Sequence, residues 1–105
     1  MNNLHLLNEI KEKLLSEFPG IIEKVILFGS QVKGNATENS DHDILIVVNI
    51  DYDWKFKNKI YDIIYDFDLK YDILTDIKII SEEELLTIKG KQPFILDALE
   101  YGITI

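Results

Sequence analysis

The chain has 105 residues, no cysteine, and 19 acidic against 11 basic side chains, a net charge of -8. That length fits one small domain, residues 1–105, with one core, and the lack of thiols excludes a disulfide scaffold or a thiolate metal site and suits a cytoplasmic protein. The acid excess excludes nucleic-acid binding through a generic basic face, and no apolar stretch approaches the roughly 18 residues that would cross a membrane.

Leu4, Leu7, Ile10, Leu14 and Phe18 recur at the spacing of one helix face, and Pro19-Gly20 stops that helix. Val25-Ile26-Leu27-Phe28 reads as a buried strand, with Gly29-Ser30 at its end. A polar, turn-rich segment over 31–40 follows. Ile44 to Val48, apolar and rich in β-branched residues, predicts a central strand. Asp51 is placed to cap a helix running to about Phe67, with Phe56, Ile60, Ile63, Ile64 and Phe67 on one side. Tyr71 to Ile80 reads as a third strand, bent near Thr75-Asp76. Ser81-Glu82-Glu83-Glu84 has the form of a capping box for a short helix ending near Gly90. Pro93 suits the first turn of a last helix, which Gly102 closes. Tyr101 to Ile105 is either an added edge strand or a docking tail. The order predicts an α/β (α+β) fold, a small mixed sheet with helices packed on it.

The chemistry gathers between Leu27 and Val48. Residues two apart on a strand share a face, so Asp41 and Asp43 project together at the mouth of the central strand and His42 turns away, where a structural role suits it. Two adjacent carboxylates repel unless a cation sits between them, and hard oxygen ligands at this spacing suit Mg²⁺ or Mn²⁺. Gly29-Ser30 stands where a chain reversal brings amides and a hydroxyl to a phosphate, and Gly34 gives a second turn. An aromatic cluster, Tyr52, Trp54, Phe56, Tyr61, Tyr65, Phe67 and Tyr71, reads mostly as core. Tyr52 and Trp54 at the helix start are candidates for an interface or a nucleotide lid.

Gly29, Ser30 and Gly34, then Ser40-Asp41-His42-Asp43 running into an apolar strand, form the pattern G-S-x-x-x-G, five residues, S-D-x-D. In this the chain resembles the DNA polymerase β-like nucleotidyltransferases, and in length their minimal nucleotidyltransferase (MNT) group. The resemblance implies transfer of AMP from ATP with two metal ions, Mg²⁺ or Mn²⁺. It implies nucleotide binding by Gly29, Ser30, Lys33, Gly34 and Ser40, where Gln31 replaces the family's frequent Arg. It also implies a third carboxylate beside Asp41 and Asp43 on a later strand. Asp72, which opens an apolar segment with Leu74 on its face, is preferred over Asp76; Asp66 and Asp68 are more distant candidates.

Minimal nucleotidyltransferases are commonly paired with a small HEPN-type toxin. The resemblance therefore implies an antitoxin whose acceptor hydroxyl lies on that partner protein. A small-molecule enzyme of the aminoglycoside-modifying type, for which a homodimer would build the acceptor site, and a non-catalytic binding antitoxin are the alternatives.

Overall fold

The computed structural model describes residues 3–29, 41–87 and 91–104, with side chains from His5 onward. Ser30, Gln31, Lys33, Gly34, Ser40 and Gly90, and the side chain of Leu4, lie outside the described residues. The elements run α1 (Asn3–Glu17), β1 (Ile22–Phe28), β2 (His42–Val48), α2 (Trp54–Tyr71), β3 (Thr75–Ser81), α3 (Glu82–Leu85), α4 (Pro93–Tyr101) and β4 (Ile103–Thr104). They form the mixed α/β arrangement that the pattern predicts.

The four strands make one sheet in the order β3-β2-β1-β4. β1 pairs antiparallel with β2, with Phe28 opposite Asp43. β2 pairs parallel with β3, and α2 supplies the crossover that parallel strands require. The chain end is an edge strand: Ile103 and Thr104 pair antiparallel with Leu27 and Ile26 of β1.

Both faces of the sheet are covered, which is why β1 and β2 are apolar runs without alternation. Leu6, Leu7, Ile10 and Leu14 of α1 and Ile60 and Ile64 of α2 bury Val25, Leu27, Ile44, Ile46, Val48 and Ile77 on one face. Ile95 and Ala98 of α4 bury Ile26, Phe28, Leu45, Val47 and Ile80 on the other. Each fully buried Leu or Ile contributes about 1.5–3 kcal/mol relative to exposure.

The ends of α2 differ from the expectation in two ways. Asp53, not Asp51, is its N-cap, and its carboxylate accepts from the Phe56 amide at 2.9 Å. Asp53→Ala is expected to lower stability by about 1 kcal/mol in chemical denaturation. At the other end the helix continues through Tyr71, because Phe67 and Tyr71 sit one turn apart and stack at 6.4 Å. Asp72 then caps α2 in the left-handed conformation, φ 53°, and β3 starts only at Thr75.

The capping box forms as expected: the Ser81 hydroxyl accepts from the Glu84 amide and the Glu84 carboxylate accepts from the Ser81 amide, both at 3.1 Å. The short helix it starts ends at Leu85. Among the described residues, no helix is long and apolar enough to cross a membrane.

Candidate active site

The start of β2 carries the acid pair, and strand alternation decides where each side chain goes. His42 shares the face of Ile44, Ile46 and Val48, under α1 and α2. Asp43 shares the face of Leu45 and Val47, the side that α4 covers further along. Asp41, one residue before the strand, is exposed at its mouth. The His42 amide donates to the Leu74 carbonyl at 2.8 Å, which ties the start of β2 to the loop entering β3.

Parallel pairing puts Asp43 directly beside Asp76, and His42 beside Thr75. The carboxylate next to the Asp41–Asp43 pair on the adjacent strand is therefore Asp76. Asp72 stands before the strand, exposed, at the left-handed end of α2. This corrects the strand expected from Tyr71 to Ile80, on which the preference for Asp72 rested: the helix runs through Tyr71, and β3 starts only at Thr75. Leu74, expected on the same strand face as Asp72, precedes the strand and is 66% exposed.

The charges interact as such a cluster must. Burial first, then the carboxylates of Asp76 and Asp41, push Asp43 above the ordinary aspartate range; Lys78 and His42 pull it partly back. Lys78 lies two residues beyond Asp76 on β3, so on the same face, and its ammonium stands 3.5 Å from Asp76 Oδ1.

On the opposite face, Asp68 of α2 accepts from the Thr75 hydroxyl at 3.0 Å. Burial raises the Asp68 carboxyl, while the Thr75 bonds and His42 lower it and Asp41 raises it further. Asp68 thus belongs to the packing between α2 and β3, on the side away from Asp43. Asp66, the other distant candidate, is on the surface of α2. The sequence reading missed Lys78 and the Asp68–Thr75 link. A T-D-x-K stretch on a strand was the one available signal for the first.

Gly29 closes the site from β1. It has φ +76°, and a Cβ built there would fall on the Asp43 carboxylate, 3.2 Å from its Cγ and closer still to Oδ2. Only glycine lets the backbone turn this tightly against Asp43. Gly29→Ala is expected to cost about 1–3 kcal/mol of stability and about tenfold in transfer activity, read from thermal unfolding and from initial rates.

The donor set of Asp41, Asp43 and Asp76 is all carboxylate oxygen, which fits a hard divalent cation. As placed, no three such groups among the described residues close into a complete cage. Mg²⁺ takes one or two carboxylates and fills its shell with water and phosphate oxygens, so these residues fit it.

The family model described as a nucleotidyltransferase domain matches residues 7–103. A Methanocaldococcus jannaschii protein named "Putative protein adenylyltransferase MJ0604" is 37% identical over 102 residues, 97% of this chain and 96% of its own. A crystal structure from Sulfolobus solfataricus, named as that of a nucleotidyltransferase, superimposes with a TM-score of 0.59 at 26% identity, over 96% of this chain and 77% of that one. Two toxin–antitoxin crystal structures share the fold. One, with AMP-PNP, has a TM-score of 0.57 at 18% identity, over 91% of this chain and 69% of that one. The other, a MntA-HpeT mutant, has a TM-score of 0.61 at 20% identity, over all of this chain and 72% of that one. With nearly its whole length matched by both the family model and the relative, the chain belongs to the nucleotidyltransferase domain family.

Proposed function

We propose that the protein transfers AMP from ATP to a hydroxyl on a partner protein, a HEPN-type toxin, in a Mg²⁺-dependent reaction. The observation that carries the reaction is the alignment of Asp43 with Asp76 across parallel strands, with Asp41 at the mouth and Gly29 backing the pair. The protein acceptor is supported by the relative named an adenylyltransferase of proteins and by the toxin–antitoxin structures that share the fold.

Asp41, Asp43 and Asp76 would hold Mg²⁺, which when bound supplies positive charge to the phosphate oxygens. The chain's own part is positional. Gly29 leaves room for the Asp43 carboxylate, its amide and Ser30 are assigned from the motif to the β- and γ-phosphates, and Lys33, Gly34 and Ser40 to the nucleotide. Asp76, on an edge strand and about half exposed, is within reach of an incoming protein and takes the acceptor proton. The acceptor oxygen bonds to the α-phosphorus, the bond to the β-phosphate breaks, and pyrophosphate leaves.

The test is mass spectrometry of the partner protein after incubation with ATP and Mg²⁺. A gain of one or more AMP groups on a hydroxyl side chain is expected. AMP found only on a small molecule, or an unmodified partner that is still neutralised, would overturn the reading.

A further inference from the structure

Lys78 has no part in the reading above, yet it sits inside the charge cluster. It shares the sheet face of Asp43 and Asp76, its ammonium is 3.5 Å from Asp76 Oδ1, and the same ammonium lies 5.6 Å from the centroid of the Phe94 ring at the start of α4. Its side chain and that of Asp76 are both about half exposed, 43% and 46%, so solvent and ions reach the pair. The field of Lys78, like that of His42, lowers Asp43. His42 takes the other side of the sheet. Among the described residues whose field lowers Asp43, Lys78 is therefore the one on the face of the acids themselves.

We propose that Lys78 is the site's internal counter-cation: it holds Asp76 while no divalent ion is bound and competes with that ion for the carboxylate. The charge count shows why such a residue helps. Three aspartates on one sheet end repel each other, and one ammonium relieves part of that repulsion before any metal arrives. With ATP and divalent ions in place, carboxylates and phosphates together still carry excess negative charge. The ammonium, kept near Asp76 by the Phe94 ring, then offsets charge on the phosphate being transferred. This rests on the nucleotidyltransferase reading of the same site.

A counter-cation and a merely structural lysine differ in one measurable respect. Removing a competitor should tighten metal binding while slowing the reaction. Lys78→Met is expected to lower the Kd for Mn²⁺, titrated without nucleotide, by about three- to tenfold, since a divalent ion near a half-exposed ammonium feels a screened repulsion of that order. The same variant is expected to lower the transfer rate at saturating Mn²⁺ by about tenfold. Lys78→Arg should restore both toward wild type. Phe94→Leu, which removes the ring under the ammonium, should shift Mn²⁺ affinity in the same direction by less, and it stands in if Lys78→Met fails to fold. Unchanged or weaker Mn²⁺ binding in Lys78→Met, or in Phe94→Leu in its place, would overturn the counter-cation role and leave the site reading intact. Wild type that binds no Mn²⁺ at all would overturn both.

Discussion

Asp43→Asn is expected to reduce AMP transfer by about 10³-fold or more and, at the same time, to make the nucleotide-free protein more stable at neutral pH. The loss of activity follows from its place between Gly29 and Asp76, where its charge is part of the donor set for the cation. The gain in stability follows from its surroundings. Burial and the carboxylates of Asp76 and Asp41 raise the Asp43 carboxyl above its unfolded value, against the opposing fields of Lys78 and His42.

A carboxyl raised on folding binds its proton more tightly in the native state. Native stability therefore falls as pH rises from the ordinary carboxylate value through the raised one, and the full cost persists above it. Asparagine carries no such cost. Thermal unfolding of the two proteins should show the variant more stable at pH 7, with the gap closing as the pH is lowered below about 4, the ordinary aspartate range. Equal stability at both pH values would contradict the crowded-carboxylate picture.

The second large effect separates two aspartates four residues apart. Asp76→Asn is expected to lower transfer by about 10²-fold or more, and Asp72→Asn to leave it within about twofold. The contrast rests on register. Asp76 is paired with Asp43, whereas Asp72 caps α2 with φ 53°. Asparagine is among the residues that tolerate the left-handed conformation, so Asp72→Asn should also fold normally, with a cooperative thermal transition near wild type. Initial rates for the two variants, measured beside wild type at saturating ATP and Mg²⁺, decide between them.

The sequence was most readable where one local pattern sufficed. The apolar runs at 25–28 and 44–48, the helix faces, the capping box at Ser81 and the Gly29 to Asp43 motif needed no knowledge of which strand lies beside which. The third carboxylate did need it. Its identity depends on where β3 begins, and that is set by the extra turn of α2 through Tyr71 and by the left-handed residue after it. An acid followed by apolar residues, as at Asp72-Ile73-Leu74, looks the same whether it opens a strand or ends a helix. Lys78 is hidden for a related reason: its partner is on its own strand, but its meaning comes from Asp43 on the next. The tail posed a choice between strand and docking segment, and pairing with Ile26 and Leu27 of β1 settles it as a strand. Gly102 makes that return possible, since a side chain there would strike the Ala98 carbonyl and Ile26.

The central claim is that the sheet end bearing Asp41, Asp43 and Asp76 moves AMP, and the position of the label in ATP tests it most directly. Protein, Mg²⁺ and partner are incubated with ATP labelled at the α-phosphate or, separately, at the γ-phosphate. The account predicts that α-label enters protein and γ-label leaves as pyrophosphate, that chelating the metal stops both, and that Asp43→Asn does neither. Label entering protein from the γ-phosphate, or α-label transferred equally by Asp43→Asn, would contradict it.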